Sequence, residues 1–261
     1  MRILLIRHGD PDYEHDTLTE KGWREAALLG QAAPSMKIDD CYMSPLGRAM
    51  DTASCSLKAI GKEAKVLDWL MEFPAKADLN VSKELQAAFP QAMAAAKEDV
   101  KFMVRNVVWD MVPSYWAEHP EYMDMTDWRR SAVAKSGDAV SLYDHVCQEF
   151  DRLLETYGYV RDGFRYQVVQ ETTRTIACYC HFGIICVLLS HLWNVSPFIL
   201  WHGLALAPTS VTEIVSEERE QGTASFRALR VGDISHLYAG QEPPSFAARF
   251  CEVFSDSGQR H

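Results

Sequence analysis

Basic residues are in short supply in this sequence, where 26 Lys and Arg stand against 36 Asp and Glu for a formal net charge of −10. A surface built to hold nucleic acid needs the opposite balance, so that class of partner is excluded. A small local cationic pocket for a single phosphate is not. Long apolar runs are also missing. The longest, Ile184 to Trp201, is interrupted by His191, Asn194 and Pro197, whereas a bilayer span wants about 20 mainly apolar residues. It reads as a buried helix and its exit, and no membrane partner is expected. The opening run, Ile3-Leu4-Leu5-Ile6, is too short for a signal sequence. The seven cysteines are odd in number and lack the paired spacing of a disulfide scaffold. Cys178 and Cys180 alternate along what reads as a strand, with no second C-x-C or C-x-x-C pair and no cluster of histidines nearby. Buried thiols are expected there, not metal ligands, and a reducing cytoplasm suits them. Internal repeats and low-complexity tracts are absent.

What is present is a rhythm of short strands and helices. Met1–Ile6 is an apolar strand that must turn at Arg7-His8-Gly9. Thr19 is placed to cap a helix running to about Gln31. Cys41–Ser44 predicts a second strand, a helix follows from about Leu46, and Ala64–Leu67 predicts a third strand before Trp69-Leu70-Met71-Glu72. From about Phe73 to Gly137 the rhythm breaks into a segment rich in Ala, Met and Trp that reads as helices without strands. Asp138 then caps a long amphipathic helix whose stripe is Tyr143, Val146, Phe150, Leu153 and Leu154. Tyr159–Tyr166 predicts a hairpin turned at Asp162-Gly163. Arg174–Cys180 is the strongest strand signal and leads through His181-Phe182-Gly183 into a helix to about Trp193. Ser210–Val215 and Phe226–Val231 complete the strands. Alternation of this kind predicts an α/β fold, a mostly parallel sheet with helices on both faces. At 261 residues the chain suits one α/β core, 1–72 and 138–261, carrying a helical cap insertion, 73–137.

Four residues stand at comparable places in that scheme. His8 follows the first strand, Arg48 the second, Glu72 the third and His181 the strongest. Ligands of open α/β sheets bind at the carboxyl ends of strands, so these groups converge although they are far apart in sequence. An imidazole is nucleophilic only when neutral, and neighbouring cations favour that form.

Taken in order, Arg7-His8-Gly9, Leu18-Thr19-x-x-Gly22, Ser44-Pro45-x-x-Arg48-Ala49-x-x-Thr52-Ala53, Glu72, His181 and the late Thr209-Ser210-Val211-Thr212 resemble the histidine phosphatase superfamily, the group that includes the cofactor-dependent phosphoglycerate mutases. The resemblance implies that His8 attacks phosphorus and becomes phosphorylated. Arg7, Arg48 and His181 would hold the non-bridging oxygens, with the backbone N–H groups of Phe182 and Gly183 at a helix start as a further anion site. Glu72 would protonate the leaving oxygen and later deprotonate the attacking water.

The chain departs from the family in places. The loop from Gly9 to Leu18 is short, whereas the mutases carry a longer substrate loop there. Phe182 stands where glycine commonly follows the second histidine. Arg-His-Gly-Asp-Pro-Asp and His181-Phe182 differ from the acid phosphatase branch and place the chain nearer the mutase-like branch. The expectation is a metal-independent phosphomonoester hydrolase without a cofactor, acting on a small phosphorylated substrate. A phosphoglycerate mutase-type transferase and a catalytically silent phospholigand-binding module are the alternatives. Asp10 and Tyr13 either line the pocket or form a turn. His202 and His236 read as structural, and Trp109, Tyr115, Trp116, Tyr122 and Trp128 as the core of the cap. The oligomeric state is left open.

Overall fold

The computed structural model describes residues 1–90, 92–93, 106–245 and 255–256; Cys251 and part of the 73–137 segment lie outside the described residues. The chain divides into two compact units, one of Met1–Glu72, Gln167–Ile185 and Ala205–His261, the other of Phe73–Tyr166 and Cys186–Leu204.

In the first unit the opening apolar run becomes strand β1 (Arg2–Arg7). A miniature hairpin, β2 (Pro11–Asp12) and β3 (Thr17–Leu18), leads into helix α1 (Glu20–Met36). Thr19 caps α1 as expected, accepting from the Gly22 N–H at 3.0 Å. The helix outruns the predicted end near Gln31 because its buried stripe continues through Leu29 to Ala33. Strand β4 (Asp40–Met43), helix α2 (Gly47–Ile60) and strand β5 (Ala64–Val66) follow. After the hairpin of β6 (Tyr159–Asp162), which belongs to the second unit, and β7 (Arg165–Val168), which enters the first at Gln167, come β8 (Thr175–Cys180), β9 (Val211–Glu220) and β10 (Thr223–Asp233). The hairpin turns at Gly163, whose φ is +58°, as its Asp-Gly pair predicts. β7 ends with the Val168 N–H on the Gly222 carbonyl at 2.9 Å.

The sheet of this unit runs β5-β4-β8-β1-β9-β10. Four strands are parallel, but β9 lies antiparallel to β1 and β10 antiparallel to β9. The sheet is therefore mixed, and the mostly parallel expectation is corrected at this edge. The reason is local. Only Gln221 and Gly222 separate β9 from β10, and a two-residue link admits only antiparallel neighbours. One face of the sheet packs Leu4, Ile6, Ala177, Tyr179 and Val211 against Leu29 of α1 and Ala53 of α2. Each fully buried side chain of Leu size contributes roughly 1.5–3 kcal/mol.

The second unit holds short helices, Lys83–Ala88, Pro113–Trp116 and Ala132–Ser136, and an isolated antiparallel bridge between Lys76 and Val107. It also takes in the amphipathic helix Ala139–Glu155, whose predicted stripe of Tyr143, Val146, Phe150, Leu153 and Leu154 is buried. Asp138 occupies the capping position, but its side chain makes no cap bond; its carbonyl instead accepts from Leu142 N–H at 3.0 Å and the Ser141 hydroxyl at 2.9 Å. The aromatic core centres on Phe198, with Tyr122 at 4.9 Å and Trp201 at 5.1 Å between ring centroids. Trp128 stands edge-on to Tyr143 at 5.0 Å. The apolar stretch expected to form one helix and its exit forms two, Phe182–Trp193, which starts in the first unit, and Pro197–Gly203, opened by Ser196, whose hydroxyl caps the Phe198 N–H. No described helix is long and apolar enough to cross a membrane. The six cysteines among the described residues are unbridged.

Candidate active site

The strand register brings the candidate histidines together. In the parallel pair β1–β8, Arg7 stands opposite Cys180, so the next residues, His8 and His181, leave the carboxyl ends of adjacent strands side by side. Their ring centroids are 5.0 Å apart. On the other side of β8, Met43 is level with Tyr179. That sets Ser44 beside the same strand ends, with its hydroxyl 2.7 Å from His181 Nε2.

A backbone partner decides the tautomer of His8. His8 Nδ1 lies 2.7 Å from the Gly9 carbonyl. A carbonyl only accepts, so Nδ1 carries the proton and Nε2 keeps its lone pair. Ser44 Oγ accepts from the Leu46 N–H at 3.2 Å and keeps both a hydrogen and a second lone pair for His181 Nε2. His181 Nδ1 is a buried atom with no partner. Both rings are almost fully buried, and both pKa values are driven well below the usual histidine range. Burial is the main cause; Arg7 and Arg48 add to it at His8, and His8, Arg48 and Arg7 at His181. A neutral imidazole at His8 follows.

Both arginines are buried beside the histidines. Arg7 donates through Nη1 to the Leu206 carbonyl and stands 5.9 Å from the Phe182 ring. Arg48 is set by the start of α2. Its Nη1 pairs with Asp16 at 2.6 Å, and the second oxygen of that carboxylate accepts the Gly47 N–H at 2.7 Å. Arg48 Nε is buried without a partner. Tyr13 lies over the guanidinium at 5.4 Å. Gly47 is required here because a Cβ would come within 2.0 Å of the Asp16 carbonyl oxygen. Thr52 ties α2 to the motif turn, accepting from the Gly9 N–H at 2.9 Å and donating to the Arg48 carbonyl at 2.7 Å. Gly22 has a similar duty, since a Cβ there would meet the Asp10 carbonyl oxygen at 2.2 Å.

Glu72 joins the group less directly. Its carboxylate accepts the Ile184 N–H at 3.3 Å, in the first turn of the helix that begins at Phe182. Negative charge is favoured at that helix end. Asp10 proves a turn residue, its side chain accepting the Thr19 hydroxyl at 2.7 Å. His202 Nδ1 donates to the Phe198 carbonyl one helical turn back at 2.9 Å. The structure thus gathers Arg7, His8, Arg48, His181 and Phe182 at the strand ends and holds Glu72 two residues beyond Phe182. Sequence reasoning missed Asp16. No local signal marks it; its contact exists because the turn between β2 and β3 folds back onto the start of α2. Among the described residues, no group of three or more His, Cys, Asp or Glu is placed to hold a metal ion.

Two buried histidines and two buried arginines thus stand together at one end of the strands. Residues 3–104 match the family model of the histidine phosphatase superfamily (branch 1). No curated protein matches the chain. Solved structures share its fold. A phosphoserine phosphatase from Entamoeba histolytica, crystallised in complex with phosphoserine, is 17% identical, with a TM-score of 0.54 over 90% of this chain and 98% of that one. A mycobacterial glucosyl-3-phosphoglycerate phosphatase in complex with inorganic phosphate is 18% identical, with a TM-score of 0.57 over 90% and 98%. The α-ribazole phosphatase of Shigella flexneri is 19% identical, with a TM-score of 0.50 over 89% and 97%.

Proposed function

We propose that this protein is a metal-independent phosphomonoester hydrolase that works through a phosphohistidine on His8. The observation that carries the reading is the pair of neutral, buried histidines at adjoining strand ends, with Arg7 and Arg48 beside them. His8 Nε2 is the free nucleophilic atom. It attacks phosphorus as the P–O bond to the leaving alcohol breaks, and Glu72 supplies the proton that the alcohol takes up. Arg7, Arg48 and His181 stabilise the equatorial oxygens, where charge accumulates in the transition state. Two buried nitrogens, His181 Nδ1 and Arg48 Nε, lack a partner, and an unpaired buried polar group costs roughly 1–3 kcal/mol. A phosphoryl group offsets that cost. Glu72 then accepts a proton from water as the water attacks the phosphohistidine, releasing inorganic phosphate. Metal independence rests on the two arginines, which supply the positive charge a metal would otherwise bring.

The phosphatases that share the fold act on small phosphorylated metabolites by name, and a substrate of that kind is proposed here. The segment 73–137 is proposed as the cap that selects it. Hydrolysis is favoured over mutase chemistry because only a miniature hairpin lies between Gly9 and α1, too little chain for a lid that keeps water from a phosphohistidine.

The test is a labelled phosphomonoester offered to chelator-treated protein. An acid-labile, base-stable adduct on the wild type and no turnover by His8→Ala are expected. Label on another residue, an active His8→Ala protein, or activity that returns only with added metal would refute the proposal. Isomerised phosphoglycerate outpacing free phosphate would favour the mutase alternative.

A further inference from the structure

His236 and Thr209 take no part in the chemistry proposed above, yet they reach the nucleophile through two hydrogen bonds. Thr209 is fully buried and its φ is +58°. A β-branched residue in the left-handed region is a steric outlier. Such residues persist only where their surroundings hold them, and they gather at functional sites.

Three bonds hold this one. The Thr209 N–H donates to the His8 carbonyl at 3.1 Å. Its hydroxyl donates to the Pro208 carbonyl at 2.7 Å. With its one hydrogen so engaged, the hydroxyl accepts from His236 Nε2 at 3.0 Å. His236 is itself buried, and its pKa is lowered to about 4 by burial, with Asp233 pushing the other way. At neutral pH it is therefore an uncharged ring with its proton on Nε2. The charged groups that line the cavity beside it, Arg2, Glu213, Arg230 and Asp233, pair among themselves, so none competes for that proton. The same segment also holds Arg7: the Arg7 N–H donates to the Ser210 carbonyl at 3.1 Å and its guanidinium to the Leu206 carbonyl. Residues 206–210 thus grip the Arg7-His8 dipeptide, and His236 fastens that segment.

We propose that His236 and Thr209 are positioning residues, a latch that sets where the His8 imidazole stands. The kinetic consequence rests on the phosphatase reading above; the geometry does not.

His236→Phe keeps the ring volume and removes the donor, while His236→Gln restores an N–H. Misplacing a nucleophile by about 1 Å reduces turnover by up to ~100-fold. His236→Phe is therefore expected to lower kcat on p-nitrophenyl phosphate by about 10-fold or more. KM and inhibition by inorganic phosphate should stay near wild type, and His236→Gln should recover most of the rate. Independently of activity, the NMR signals of the His8 imidazole, assigned with His8→Gln, should move in His236→Phe and return in His236→Gln. Thr209→Asn, which tolerates the left-handed backbone, should melt no lower than wild type yet turn over more slowly. An unchanged kcat with unmoved His8 signals would overturn the latch. So would a loss of kcat that only tracks the loss of folded protein, or a Thr209→Asn variant as active as wild type. A wild type inert toward every phosphomonoester would overturn the phosphatase reading alone, since the His8 signals still decide the latch.

Discussion

Acid should unfold this protein through its histidines before its carboxylates titrate. His8, His181 and His236 are all buried with pKa values below the ordinary 6.5, the last at about 4. Between those folded values and 6.5 the native rings carry no proton while the unfolded rings do. Unfolding therefore takes up protons, and stability falls as pH drops. The sign is fixed by the direction of the shifts: this contribution is intact above about 6.5 and is lost progressively below it. Each ring removes about 1.4 kcal/mol per pH unit in that window. For His236, whose folded value is about 4, that is up to roughly 2 kcal/mol from pH 6.5 to about 5, and His8 and His181 act in the same direction, against a typical total of 5–15 kcal/mol. His202, lowered by burial as well, adds to the slope. Glu25 opposes it, because burial raises its pKa and the native state gains that proton first. The assay is urea unfolding at pH values stepped from about 7 down to about 5, with stability read from the linear extrapolation. His236→Gln removes one titrating ring, so its slope should be shallower than the wild type's by about 1.4 kcal/mol per pH unit. A wild type whose stability is flat across the window, or a variant with an unchanged slope, would refute the reasoning.

Two further outcomes probe the rest of the site. Glu72→Gln should slow alkyl phosphates far more than p-nitrophenyl phosphate, whose leaving group needs no proton; equal losses would make Glu72 a binding or structural residue. Gly47→Ala drives a Cβ into the Asp16 carbonyl oxygen, so it should destabilise by about 1–3 kcal/mol and raise KM by loosening the Asp16–Arg48 pair, read by thermal melting beside Michaelis kinetics; an unperturbed KM would show that Arg48 does not depend on Asp16.

The sequence by itself determined the elements and the order in which they carry polar groups. Apolar strands such as Ile3–Ile6 and Ile176–Cys180 announce themselves because a strand buried on both faces needs uninterrupted apolar residues. Thr19 and the Asp162-Gly163 turn are legible because caps and tight turns are chosen by local chemistry. The motif around Arg7, His8, Arg48 and His181 was readable for the same reason, each residue standing at a strand end or in a first helical turn. Pairing was not readable. The antiparallel meeting of β9 with β1, the level meeting of Arg7 with Cys180 that sets the two histidines 5.0 Å apart, and the grip of Asp16 on Arg48 join residues 32 to 213 positions apart. Local propensity carries no information about such distances. Thr209 shows the limit most plainly. Its sequence context promises an ordinary strand entrance, and only the fold, through His8 on one side and His236 on the other, holds it in a backbone conformation that threonine alone would avoid.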